Sequence, residues 1–184
     1  RLAGAGLVLL GCGKMGSAML QGWLQGVLPP TSIWAIDPNP SDWLLNTGVT
    51  VNGQLPVNPA LVLVAVKPQM MGDALPTMRA MGNGDTVFLS VAAGTPISAF
   101  EDVLGPNTPI IRAMPNTPAA VAKGITAIIG NRLVSDPHLE MAETLLGAVG
   151  QVVRLDDEGQ MDAVTGVSGS GPAYVFHMIE CLAA

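Results

Sequence analysis

The chain has 184 residues, 49% of them apolar and only 12% charged, with a formal net charge of −6. That composition excludes a disordered polar chain. With no cluster of Lys or Arg, it also lacks the basic footprint that nucleic acid or an anionic membrane surface requires.

Mean hydropathy is high at +0.45, yet the apolar runs fall well short of the roughly 18–20 residues of a membrane span. No basic stretch followed by a long apolar one suggests a secretory signal. The first predicted element is a strand at Leu7–Leu10, which runs into Gly11-Cys12-Gly13-Lys14-Met15-Gly16. A helix follows from about Lys14 to Gln25, with Met15, Ala18, Met19, Gly22 and Trp23 on one stripe.

A G-x-G-x-x-G between strand and helix is either a dinucleotide cradle or only a tight turn. As a cradle, Gly11 permits the sharp turn, Gly13 lets a pyrophosphate approach the backbone, and Gly16 lets the helix pack on the strand. The anion then rests on free N–H groups at the positive end of the helix. Lys14 can add charge. The second strand, Ile33–Ile36, ends at Asp37, about where such folds place the carboxylate that accepts the ribose hydroxyls. A carboxylate there repels a 2′-phosphate and pulls towards NAD; Asp37 can also be an ordinary turn residue before Pro38.

Further strands are predicted at Val49–Val51, Leu61–Val66, Thr86–Val91, Ile110–Met114, Ile125–Ile129 and Val152–Leu155. They are apolar without alternation, as parallel strands covered on both faces are. Thr95-Pro96 and Asp136-Pro137 each read as an N-cap followed by Pro at the first helical position. Ala142, Leu145, Leu146 and Val149 make one face of the later helix. Strand–helix alternation of this kind implies βαβ units and a doubly wound α/β domain. Three stretches fall where its strands should end, and there ligands bind. They are Ala65-Val66-Lys67-Pro68, Ser90-Val91-Ala92-Ala93-Gly94 and Arg112 to Pro118.

Asp156-Asp157-Glu158-Gly159 breaks the alternation, and a domain boundary is expected near residue 158. Beyond it no strand is predicted. Val164 to Pro172 reads as a glycine- and serine-punctuated turn, and an apolar helix is expected from Ala173. Cys12 and Cys181 are too few for a disulfide framework or a zinc site, and read as free thiols in a reducing compartment. Neither His138 nor His177 has neighbours at metal-ligand spacing, so no metal is expected. Arg1 is no initiator residue and the chain stops in helix-like sequence, which reads as a piece of a longer protein.

After GCGKMG, the stretches VAVKPQ, SVAAGTPI, IIRAMPNTPA and DAVTGVSGSGPAYVF follow in order. Together they resemble pyrroline-5-carboxylate reductase, across the whole chain. RAMPNTP and TGVSGSGPAYVF are the specific parts; they argue against a 3-hydroxyacid dehydrogenase or another imine reductase with a similar first half. The resemblance implies a Rossmann domain over 1–158, then over 159–184 the hinge and first helix of an all-helical dimerisation domain. It implies reduction of 1-pyrroline-5-carboxylate to L-proline with NADP or NAD, a small-molecule substrate, a cytoplasmic location and a homodimer or larger assembly. Carried over by position, it puts the cofactor diphosphate on Leu10, Gly11, Cys12, Gly13, Lys14 and Met15. It lines the dinucleotide with Ala65, Val66, Lys67 and Pro68 and with Val91, Ala92 and Ala93. Asn52 becomes an adenosine-side contact, Asn116 a neighbour of the nicotinamide, and Val167 to Ala173 the rim of the active site. No catalytic residue is implied within the chain. The family's Ser-Pro-Gly-Gly-Thr substrate loop would lie beyond Ala184. A cofactor-binding module without chemistry of its own is therefore the alternative.

Overall fold

A long apolar run with no polar face can be a strand only if both faces of its sheet are covered. The computed structural model, which describes residues 2–184, shows how. A short helix α1 (Leu2–Ala5) leads into β1 (Leu7–Leu10), α2 (Lys14–Leu24) and β2 (Ile33–Ile36). There follow α3 (Asp42–Leu45), β3 (Thr50–Val51), β4 (Leu61–Val64), α4 (Met71–Ala74) and β5 (Val87–Ser90). The chain continues through α5 (Ile97–Leu104), β6 (Ile110–Met114), β7 (Gly124–Gly130), α6 (Asp136–Gly147) and β8 (Gly150–Arg154). It ends in α7 (Gln160–Val164) and α8 (Gly171–Ala183).

The strands form one sheet in the order β3-β2-β1-β4-β5-β6-β7-β8. Successive residues of each central strand feed different cores. Leu7, Leu9, Leu61, Leu63 and Leu89 pack on one face with Met19, Leu20 and Trp23 of α2. Val8, Val62, Val64 and Phe88 pack on the other with Phe100 and Leu104 of α5. This is the doubly wound, Rossmann-type arrangement the alternation predicts. The order reverses between β1 and β4, and that switch point opens a crevice at the strand ends.

Several local expectations are corrected. β7 runs antiparallel to β6 rather than completing a βαβ unit. The connection is a 3-10 turn at Thr117–Val121 closed by the left-handed Ala122 (φ 55°), not the crossover of a dozen or more residues that a parallel pair needs. The strand predicted at Leu61–Val66 stops at Val64, because Ala65 to Lys67 leave the sheet as a turn; that at Thr86–Val91 stops at Ser90. β8 starts at Gly150, ahead of the Val152 expected. The α2 stripe is shifted by one: its buried residues are Gly16, Met19, Leu20 and Trp23. Trp23 is also tied by its indole Nε1, which donates to the Leu145 carbonyl at 2.9 Å.

Both predicted caps move by one residue. Pro96, not Thr95, precedes the first residue of α5. Ser135, not Asp136, caps α6, and its N–H donates to His138 Nδ1 at 3.4 Å.

The turn predicted from Val164 to Pro172 is instead helical. A π turn at Thr165–Gly169 joins α7 to α8, which begins at Gly171 rather than Ala173. Hydroxyl groups add second bonds to carbonyls of this segment: Thr165 Oγ1 donates to Met161 O at 2.8 Å and Ser170 Oγ to Thr165 O at 2.9 Å. Pro172 stands in the first turn of α8, where a missing N–H costs nothing.

Candidate active site

Three glycines open α2, and the structure separates their roles. Gly11 has φ +89°, and a Cβ on it would stand 2.9 Å from Val66 Cγ1. A Cβ on Gly16 would overlap the Gly11 carbonyl oxygen. Both are required by the turn itself. Gly13 is not: its φ of −73° and ψ of −156° suit any residue, and a Cβ would meet nothing within 4 Å. It lines two clefts instead. Gly13 is also the N-cap of α2 and supplies no capping side chain. The first N–H groups of that helix thus lack a side-chain partner at its positive end. An anion with a slim backbone-facing edge fits there; a purely structural turn would not need the middle glycine.

The first cleft, about 370 Å³, lies at the ends of β1, β2 and β4. Among the predicted residues, Leu10, Gly11, Gly13, Asp37, Ala65, Val66 and Lys67 line it. The second, about 430 Å³, continues past Gly13 towards β5. Lys14, Met15, Pro68, Val91, Ala92 and Ala93 line that one, and Ala65, Val66 and Lys67 are common to both. The pair makes a trough across the switch point, with Gly13 of the glycine loop on the boundary of both. Cys12 faces a further depression with Ser41 and Trp43, on the far side of the loop. Burial first, and the Asp37 charge second, push the Cys12 thiol up to about 11, so it stands as a neutral thiol and not a nucleophile.

Asp37 ties the loop to β2. One carboxylate oxygen accepts the Cys12 N–H at 2.8 Å and the other the Asn39 N–H at 2.8 Å. Asn52 lines neither trough cleft. It holds a left-handed backbone (φ 51°), and its amide grips the Asp37 backbone on both sides. Asn116 also lies outside both clefts. Its Oδ1 accepts the Ile125 N–H at 3.0 Å, and its Nδ2 donates to Ser168 Oγ at 3.3 Å. It therefore joins the RAMPNTP loop to β7 and to the π turn.

Further side chains, none of them given an individual role by the sequence, complete this region. Arg112 of β6, buried, donates to Glu158 Oε1 at 2.8 Å, and the same oxygen accepts the Ile97 N–H that opens α5 at 2.9 Å. A Cβ on Gly169 would stand 2.6 Å from Met114 Cε, so the π turn presses on the end of β6. Asp73 and Thr77 form the outer wall of the first cleft. Glu158 was visible only as part of a charge run, and nothing in the spacing points to Asp73 or Thr77. Among the described residues no group of three or more His, Cys, Asp or Glu could hold a metal ion. No helix among them is long and apolar enough to cross a membrane.

The chain is 36% identical over 181 residues to a pyrroline-5-carboxylate reductase of Methanosarcina acetivorans, covering 95% of this chain and 67% of that protein. It belongs to the pyrroline-5-carboxylate reductase family. Residues 158–184 match the family model for pyrroline-5-carboxylate reductase dimerisation. Residues 6–94 match the model described as NADP oxidoreductase coenzyme F420-dependent. Among solved structures, a pyrroline-5-carboxylate reductase from Coxiella burnetii superposes with a TM-score of 0.89 at 28% identity, over 97% of this chain and 68% of that one. The Plasmodium falciparum pyrroline carboxylate reductase with NADP bound superposes at 0.86 and 26% identity, over 99% and 69%. Reductive aminase and imine reductase structures at 16% identity share the fold.

Proposed function

We propose that this protein reduces 1-pyrroline-5-carboxylate to L-proline with a nicotinamide dinucleotide, the last step of proline biosynthesis. The observation that carries the reading is the uncapped start of α2, where Gly13 leaves open the space between two clefts for no structural reason of its own. When bound, the nicotinamide supplies the hydride.

The chain's own residues do the rest. Backbone N–H groups of Gly13, Lys14 and Met15 hold the diphosphate at the positive end of α2, those of Gly11 and Cys12 being already given to Ile36 O and Asp37. Asp37 and the first cleft receive the adenosine half. The small side chains of Ala65, Ala92 and Ala93, with Val66 and Val91, flank the second cleft. There they keep water from the reacting face and fix the ring's orientation, and orientation is the main demand when the imine arrives already protonated. Asn116 and Glu158 hold the helical segment against this end. Residues 1–158 form the cofactor unit, and 159–184 begin the unit that completes the substrate side and pairs two copies. Tyr174, Val175, Met178, Ile179 and Leu182 of α8 are exposed, and an apolar face of that size calls for such a partner. A cytoplasmic location goes with this reading. The comparisons support the enzyme over a module without chemistry.

The test is oxidation of NADH and NADPH by the full-length protein with 1-pyrroline-5-carboxylate, with proline as the product scored. Turnover with at least one nucleotide is expected, and none with either refutes the proposal. Light scattering should show a dimer or larger; a monodisperse monomer refutes the pairing.

A further inference from the structure

We infer that Asp37, held in place by Asn52, makes this protein select the nucleotide without a 2′-phosphate, NADH over NADPH. The inference rests on the dinucleotide reading above and deepens it. Asp37 lines the first cleft directly beyond β2, between Ile36 and Pro38. Its two oxygens already accept the Cys12 and Asn39 N–H groups at 2.8 Å each. A carboxylate has about four lone-pair sites, so two remain. They can accept hydroxyl donors from a ribose diol. A 2′-phosphate offers that carboxylate no donor, only further negative charge.

The backbone that carries this carboxylate is held from both sides. Asn52 Oδ1 accepts the Asp37 N–H at 3.0 Å, and Asn52 Nδ2 donates to the Asp37 carbonyl at 2.8 Å. The Asn52 N–H itself donates to Ala35 O at 2.9 Å, which anchors the amide to β2. Asn tolerates the left-handed φ of 51° at this position better than most residues do. Asn52 is thus a positioning residue that acts through Asp37.

The surrounding charges give a phosphate no compensation. Among the described residues, the charged ones lining this cleft are Asp37, Asp73 and Lys67. Lys67 lines the second cleft as well as the first. Among the described residues no arginine lines either cleft. Discrimination therefore combines acceptors for the ribose diol with a negative group that repels a 2′-phosphate, attraction and repulsion acting together.

The experiment is calorimetric titration of the full-length protein with ADP-ribose and with 2′-phospho-ADP-ribose. These carry the adenosine half without the nicotinamide, so the readout is independent of turnover. ADP-ribose is expected to bind at least tenfold tighter. Asp37→Ser should bring the two affinities within about threefold. Asn52→Gly, which keeps the left-handed backbone and removes the amide, should narrow the ratio without abolishing ADP-ribose binding. The ratio of kcat/KM for NADH and NADPH should move with the binding ratio. Equal or tighter binding of the phosphorylated ligand by the unaltered protein overturns the inference. So does an unchanged ratio in Asp37→Ser. Failure of both ligands to bind at millimolar concentration overturns the dinucleotide reading itself.

Discussion

Replacing Gly13 with Ala separates a cradle from a turn more cleanly than any other single change. The backbone at Gly13 is in a region open to all L residues, and the added methyl meets no atom within 4 Å. The folded state is not strained. Ala is a poorer N-cap than Gly, while losing glycine's freedom in the unfolded chain favours folding by about 0.4–1 kcal/mol. The two effects oppose, so stability should change by less than about 1 kcal/mol. Binding is different, because the methyl enters the space between the clefts where the diphosphate must approach the backbone. A hydrogen bond to a charged group is worth about 1.5–3 kcal/mol. Displacing the diphosphate from two of them weakens NADH binding by about a hundredfold or more. Gly16→Ala is the control with the opposite profile. Its methyl collides with the Gly11 carbonyl, and overpacking of this kind costs about 1–3 kcal/mol of stability. Urea unfolding measures the first quantity and calorimetric titration with NADH the second. If Gly13→Ala stays folded and binds NADH as tightly as the unaltered protein, the loop is only a turn.

Four further outcomes follow from the same geometry. Glu158→Ala strands the buried Arg112 guanidinium and frees the Ile97 N–H; breaking a buried pair costs about 3–5 kcal/mol. Glu158 is one-third exposed, so a loss of about 1–3 kcal/mol in urea unfolding is expected; no loss would mean the seam is not held there. Cys12, pushed up to about 11, should resist iodoacetamide at pH 8 while the exposed Cys181 reacts, as mass spectrometry of the alkylated peptides would show. Because the folded thiol holds its proton more tightly than the ordinary value of 9.0, stability should fall as pH rises from about 9 to about 11, and Cys12→Ser should remove that fall. Glu143 is drawn below the ordinary carboxylate value of 4.5 by its hydrogen bond from Arg154. That small contribution is present above the ordinary value and is lost as pH falls through the lowered one, so Glu143→Gln should flatten the acid limb of thermal melts below pH 4.5.

What could be seen in the sequence follows from which forces act locally. The strands were legible because both faces of β1, β4 and β5 are buried, and such strands show as unbroken apolar runs. The glycine loop was legible as a motif, but a motif cannot say which of its glycines answers to sterics and which to a ligand. That distinction needs the Val66 and Gly11 atoms facing Gly11 and Gly16, and the emptiness facing Gly13. The reversal of β7 was hidden because direction depends on how the Pro115 to Lys123 segment travels, not on the apolar pattern of Ile125–Ile129. The π turn was hidden for a similar reason. Gly166, Gly169 and Ser170 carry a turn's composition, yet the Met114 contact and the hydroxyl bonds from Thr165 and Ser170 hold them helical. Asn52 and Asn116 were singled out through family resemblance as neighbours of the cofactor. Their amides are engaged within the protein, so any effect of Asn52 on the nucleotide passes through Asp37.

β6 connects the cofactor trough to the segment that follows it. Arg112 reaches Glu158, Met114 meets Gly169, and Asn116 reaches Ser168, so a short stretch of chain makes an ion pair, an apolar contact and a hydrogen bond to residues 158–169. These differ in kind. β6 lies beside β5, and the residues just past β5 line the second cleft. A shift of the helical segment would therefore be felt at the trough wall through one intervening strand. Past Gly171 the situation reverses, since α8 has no buried residue at all. A helix stiff at its base and bare along its length is suited to be clasped by other helices without disturbing what lies beneath. Pairing two copies through it would then fix the substrate side against a cofactor site that each chain has already built for itself.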